Sequence, residues 1–133
     1  MIGPRALKQG LILLAHGARD PRWREPFEQL ATRVREKRPD VAVSLAFLEL
    51  MAPDLLAAGE ALMAAGCDVL RVVPVFLGQG GHVRDDIPAQ VDALRTRYSR
   101  ALITLSPAAG ENAGVIEALA SFSVGELGGN DRA

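Results

Sequence analysis

His16 and His82 are the only imidazoles in the chain, and each closely follows an apolar run of strand character. Glu49 follows a third such run. Imidazole suits cobalt, nickel, iron and zinc, and an incomplete ligand set leaves coordination positions open for a substrate. Two imidazoles and a carboxylate on neighbouring loops therefore point to a borderline divalent ion. Each residue also has a plainer reading. A histidine after a strand commonly bonds its own loop, and Glu49 alone would serve as a helix cap. Their joint placement at three strand ends is what favours the metal.

That placement follows from the elements. Four apolar runs, Leu11–Ala15, Val41–Leu48, Val69–Val75 and Ala101–Leu105, alternate with four helical patterns. The first run is continuous rather than alternating, as expected for a strand covered on both faces. The first helix starts near Arg24 with Pro26 in its first turn, carries Phe27, Leu30, Ala31 and Val34 on one stripe, and stops at Arg38-Pro39. The second opens at Pro53, carries Leu55, Leu56, Leu62 and Met63, and ends at Gly66. The glycine-rich turn Gly78-Gln79-Gly80-Gly81, which holds His82 at its end, leads into a third helix with Ile87, Val91, Leu94 and Tyr98. The last helix begins near Asn112, a plausible N-cap, with Val115, Leu119 and Phe122 as its inner face. From Ser123 the composition predicts a fraying tail, giving one α/β domain over 1–122 and a flexible tail over 123–133.

Strict alternation predicts a three-layer, doubly wound sandwich with a four-stranded parallel sheet of order 2-1-3-4. Ligands of such sheets bind beyond the carboxyl ends of the strands, where the strand order reverses. His16, Glu49 and His82 fall on that edge, with Ser106, Glu111 and Asn112 after strand four. The opposite edge carries Lys37-Arg38-Pro39-Asp40 and Gly66-Cys67-Asp68, which read as solvated turns.

Composition narrows the partners. The 133 residues are 49% hydrophobic and 5% aromatic, so the core is aliphatic. Fifteen basic side chains against 16 acidic ones give no general attraction to nucleic acid or an anionic membrane. The single cysteine, Cys67, excludes an internal disulfide and a four-thiolate zinc site, and reads as a small core residue of a cytoplasmic protein. No signal-peptide layout opens the chain, and its apolar runs are too short to span a bilayer.

Several stretches resemble the small CbiX-type sirohydrochlorin chelatases, a class II tetrapyrrole chelatase family: Ala15-His16-Gly17-Ala18-Arg19-Asp20-Pro21; Phe47-Leu48-Glu49-Leu50 with Pro53; Val73-Pro74-Val75-Phe76-Leu77 followed by Gly81-His82-Val83 and Asp86-Ile87-Pro88; and Pro107-Ala108-Ala109-Gly110-Glu111-Asn112. They run in order over residues 11 to about 120. Ala18 departs from the pattern, since many relatives carry serine there. The resemblance implies a homodimeric enzyme that inserts a divalent metal, usually cobalt, with nickel or iron as alternatives, into sirohydrochlorin or a close relative. Such an enzyme would serve cobalamin or sirohaem-type biosynthesis, with the metal as substrate and no organic cofactor. Longer relatives have two such domains, whereas this chain shows no internal repeat.

On that reading His16 and His82 hold the metal and Glu49 accepts a pyrrole proton or completes the metal's shell. The polycarboxylate substrate needs cations, and arginine's planar fork suits carboxylates. Arg19 and Arg84 flank the histidines as candidates, while Arg22 and Arg24 read rather as a solvated helix start and Trp23 as a loop anchor. The Gly78–Gly81 turn lacks the lysine of a P-loop and the spacing of a dinucleotide fingerprint. Its glycines, Gly80 and Gly81 above all, would let the backbone approach a bulky flat ligand. Two other readings compete. A non-catalytic carrier of metal or tetrapyrrole would keep the histidines but need no Glu49. A doubly wound hydrolase or signalling domain would need a G-x-S-x-G elbow or an aspartate ending strand one, and neither is present.

Overall fold

The computed structural model describes residues 6–128. Four strands alternate with four helices: β1 (Gln9–Ala15), α1 (Glu25–Lys37), β2 (Ala42–Phe47), α2 (Leu55–Ala64), β3 (Val69–Pro74), α3 (Gly81–Arg97), β4 (Leu102–Leu105) and α4 (Ala113–Gly125). Short 3-10 turns at Pro21–Arg24 and Ala109–Glu111 precede α1 and α4. All strand pairs are parallel and the order is β2-β1-β3-β4, as the alternation predicts. In register, Leu13 of central β1 faces Leu45 on one side and Val73 on the other.

The two faces of this sheet are finished to different degrees. On one, Ile12, Leu14, Ala46, Leu70, Val72 and Ile103 pack under α2 and α3, which contribute Leu55, Ala58, Leu62, Ile87, Val91 and Leu94. Helices α2 and α3 approach so closely that a Cβ added at Gly59 would lie 2.5 Å from Leu94 Cδ1. Cys67 joins this cluster, and burial pushes its thiol pKa up, which keeps it protonated and inert. On the second face, Leu13, Ala15, Leu45 and Phe47 pack against Ala31 of α1, with Trp23, Phe27 and Val34 around them. This covers β2 and β1 only. Over β3 and β4 the same face leaves Arg71 exposed, Leu102 58% exposed and Val73 half-buried.

The last helix, α4, does not cover that half. Among the described residues α4 buries none of its side chains; of the inner face read from the sequence, Leu119 is 40% and Phe122 66% exposed. Helix α4 also continues through Gly125, beyond the Ser123 boundary predicted for the tail, and residues 129–133 of that tail lie outside the described residues. Two further boundaries move. Asp54, not Pro53, opens α2, its carboxylate accepting from Ala57 N at 2.8 Å. The third helix starts at Gly81, which puts His82 in its first turn rather than in the preceding loop. No helix among the described residues is long and apolar enough to cross a membrane.

Candidate functional site

The carboxyl ends of β1 and β2 are tied together beyond the strands themselves. Leu48 N donates to Ala15 O at 2.9 Å and Glu49 N to His16 O at 3.1 Å. Between these bonds Gly17 takes φ of +101°, and a Cβ there would sit 1.8 Å from Glu49 O. Only glycine allows both the left-handed backbone and the contact. Past Glu49 the chain reverses through Leu50, whose φ is +67°, with Met51 N donating to Glu49 O at 2.8 Å. A positive φ at leucine is costly, and the two-residue hydrogen bond holds it. The Glu49 side chain is exposed on this braced turn.

His16 is half-buried, one residue past β1. Its ring meets the edge of Phe76 with centroids 5.3 Å apart at 63°. Phe76 lies just beyond β3, and Val75 N donates to Leu14 O at 2.9 Å, so the β1 and β3 exits are bonded as well. His16 is thus seated at the switch point of the sheet, between both neighbouring strand ends.

The other histidine is placed differently. The His82 side chain is 87% exposed, and its Nε2 lies 2.9 Å from Asp86 Oδ2, one helical turn on. Reading His82 as a loop residue concealed this partner; the four-residue spacing signals it once α3 begins at Gly81. Pro88 has no N–H for the carbonyl of Arg84, so the first turn of α3 is tied less firmly than the rest. Nothing lies within 4 Å of a Cβ built at Gly78, Gly80 or Gly81, so open space borders this turn.

The arginines differ in their partners. Arg22 pairs with Asp20 at 2.7 Å, an exposed pair that lowers the Asp20 pKa. Arg24 pairs with Glu28 at 2.9 Å, donates to Ala52 O and lies over the Phe47 ring. Arg19 and Arg84 are exposed, and their side chains make no hydrogen bond or ion pair among the described residues. Trp23 packs on Phe27 with ring centroids 4.6 Å apart and near Phe47, which makes it an anchor of its turn. After β4 the polar groups are spent on local structure. Ser106 Oγ donates to Pro107 O, Glu111 accepts from Ala108 N, and Asn112 accepts from Val115 N.

His16 and Glu49 are therefore brought onto adjoining, mutually bonded turns, with His82 beyond β3 on α3. The three do not close on one point in a single chain: among the described residues no group of three His, Cys, Asp or Glu side chains is spaced to enclose a metal. A groove of about 830 Å³ runs from Phe76 and Leu77 across Leu13 and Val73 to Leu30 and α4. Glu111 is its one ionisable lining residue, so it offers no cation to a polycarboxylate.

Comparison with known proteins identifies the family. The CbiX family model matches residues 10–123. A sirohydrochlorin cobaltochelatase of Methanosarcina barkeri is 36% identical over 81 residues, 61% of this chain and 62% of that protein, so the match spans less than two thirds of the relative's length. A solved CbiX protein from Marinobacter aquaeolei VT8 is 34% identical, superposes with a TM-score of 0.78, and is matched over 90% of this chain and 97% of its own. The sirohydrochlorin chelatase SirB of Bacillus subtilis subspecies spizizenii, solved with cobalt, shares the fold at 24% identity and a TM-score of 0.74, with 84% of this chain matched to 48% of SirB. With residues 10–123 matched, the chain belongs to the CbiX family.

Proposed function

We propose that this protein inserts a divalent metal, cobalt in the first instance, into sirohydrochlorin. The observation that carries the proposal is the seat of His16, braced against Phe76 at the sheet's switch point, with Glu49 locked beside it. The M. barkeri relative's name supplies the substrate class.

Insertion requires the aqua ion to shed water, two pyrrole protons to leave, and the flat ring to bend toward the metal. His16 and His82, in their neutral forms, replace waters and leave a face of the ion open to the ring nitrogens. With Nε2 directed at Asp86, Nδ1 is the nitrogen of His82 left to face a metal. Glu49, exposed on its turn, accepts a pyrrole proton or completes the metal's shell. The unpaired Arg19 and Arg84 take substrate carboxylates, and the open side of Gly80 and Gly81 admits the ring. An open ligand set is appropriate here, because an ion bound too tightly would not be handed on. The metal is the substrate, nickel and ferrous iron fit the same donors, and the scheme calls for no organic cofactor. A second copy of the chain completes the cleft, and the reducing cytoplasm is the expected setting.

A spectroscopic insertion assay with purified protein, sirohydrochlorin and each metal in turn tests this. Cobalt insertion well above the spontaneous rate is expected, with Glu49→Ala slowing it by about a hundredfold, the usual contribution of a positioned proton acceptor, while cobalt affinity holds. If Glu49→Ala inserts at the full rate, Glu49 has no such role. If wild type binds cobalt and sirohydrochlorin without joining them faster than solution does, the protein is a carrier.

A further inference from the structure

We propose that Arg24 is a positioning residue for Glu49, its guanidinium clamping the outer limb of the turn that presents this carboxylate to the ion and the macrocycle. The role rests on the reading of Glu49 given above, as proton acceptor or third donor to the metal.

The turn from Leu48 to Pro53 needs holding. Glu49 and Leu50 are exposed, and Leu50 takes its φ of +67° with a full side chain. Backbone in that region persists only where its surroundings over-determine it. The inner limb is fixed by Leu48 N on Ala15 O, by Glu49 N on His16 O and by the lack of room at Gly17. Those contacts stop at Glu49. Beyond Leu50 the chain returns along the outer edge of β2 to the α2 cap at Asp54, and β2 is the last strand of the sheet on that side.

Two hydrogen bonds close this outer limb. Phe47 N donates to Pro53 O at 2.9 Å, and Arg24 Nη1 donates to Ala52 O at 3.2 Å. Among the described residues, no other side chain donates to the turn. The arginine is itself held on two further sides. Its Nε lies 2.9 Å from Glu28 Oε1, one helical turn on, and its guanidinium carbon sits 5.1 Å from the centre of the Phe47 ring. Separate nitrogens of one planar fork thus serve Glu28 and Ala52, with an aromatic face behind them. Arg22 next to it, 87% exposed, directs its guanidinium at Asp20 two residues away. Reading both as a solvated helix start conceals the difference, because Ala52 is 28 residues from Arg24.

The clamp has a chemical consequence. A proton acceptor must come within hydrogen-bond reach of the N–H it serves, and a displacement of about 1 Å can cost about a hundredfold in rate. If Leu50 relaxes out of its positive φ, the Glu49 side chain beside it swings, while the backbone bond to His16 can persist.

Arg24→Met tests the clamp by two independent readouts. Hydrogen exchange at the Phe47 amide should quicken by about tenfold, and exchange at Val75, bonded to Leu14 O at the other exit, should not change. Cobalt insertion should fall by at least about tenfold in kcat, with KM for sirohydrochlorin and cobalt affinity unaltered. In a Glu49→Ala background the same substitution should bring no further loss, because nothing is left to position. Arg33→Met, which removes an exposed charge from the same helix, should keep the full rate. Equal losses in both backgrounds would make Arg24 a mere prop of α1 and overturn the proposal. So would full kcat in Arg24→Met, a loss carried by KM alone, or a Phe47 amide that exchanges at the wild-type rate. Should Arg24→Met melt more than about 10 °C lower, Arg24→Lys takes its place with the same deciding outcomes, since an ammonium lacks the fork that reaches Glu28 and Ala52 together. If Glu49→Ala alone inserts cobalt at the full rate, the reading of Glu49 fails and Arg24 loses its role with it. If Glu49→Ala is slow and Arg24→Met is not, the clamp fails and the chelatase stands.

Discussion

The exits of β1 and β3 each deliver one histidine, but they are built to different standards. At β1 the chain is bonded to both neighbouring strand ends, Gly17 has no room for a methyl group, and His16 is half-buried against Phe76. At β3 the glycine turn borders open space, and His82 stands 87% exposed on the first turn of α3 with Asp86 as its polar neighbour. The contrast suits an ion that must be located and then released. On the proposed reading, a fixed ligand would define where the metal sits, and a ligand on an open, less firmly tied turn would give way as ring nitrogens arrive. Precision is concentrated at the first exit and access at the second.

Substituting the histidines is the severest test of that contrast. His16→Ala and His82→Ala should each reduce cobalt insertion by at least about a hundredfold, or about 2.7 kcal/mol in the barrier. They should part in thermal melts, with His16→Ala lowering the melting temperature and His82→Ala leaving it where it was, since exposed sites change stability by about 0.5 kcal/mol or less. If either variant inserts cobalt at the wild-type rate, that histidine is not a ligand.

Gly17→Ala tests the rigid exit directly. A positive φ and a backbone clash should together cost about 2–4 kcal/mol, read as a melting temperature lower by about 10 °C. Circular dichroism melts within a few degrees of wild type would show that the two exits are not so tightly joined. Asp86→Asn is milder. Losing the carboxylate behind a ligating imidazole should weaken cobalt binding by about tenfold, with little change in stability. Titration calorimetry that finds equal affinity would reduce the pair to an ordinary helix-surface contact.

The smallest effect is expected at Gly81→Ala. With open space around it and a place in a helix, the added methyl should leave stability unchanged or raise it by up to about 1 kcal/mol. If the macrocycle lies against this turn, KM for sirohydrochlorin should rise nonetheless. An unaltered KM would move the ring elsewhere on the edge.

Much of this was legible in the residues. The continuous apolar character of Leu11–Ala15 announced a strand covered on both faces, and alternation with helical patterns dictated parallel pairing and gathered the candidate residues at one edge. Asn112 as a cap, Gly66 as a stop and Trp23 as an anchor were readable because each depends on chemistry within a few residues. The pairing of His82 with Asp86 stayed hidden for a single reason. A shift in where α3 starts decides whether residues four apart share a face, and helix boundaries are set as much by packing as by propensity.

By itself, then, the sequence determined the element order, the edge on which the candidate site residues gather, and the types of side chain on it, because these depend on periodicity and local turn chemistry. Only the tertiary structure decided that Gly17 locks Glu49 to the His16 turn, that among the described residues the Arg19 and Arg84 side chains have no partner while Arg22 and Arg24 are engaged, and that α4 leaves half a sheet face bare. Each of those depends on distances between segments far apart in the chain. Hydrophobic periodicity records that a face is to be buried, not which surface buries it.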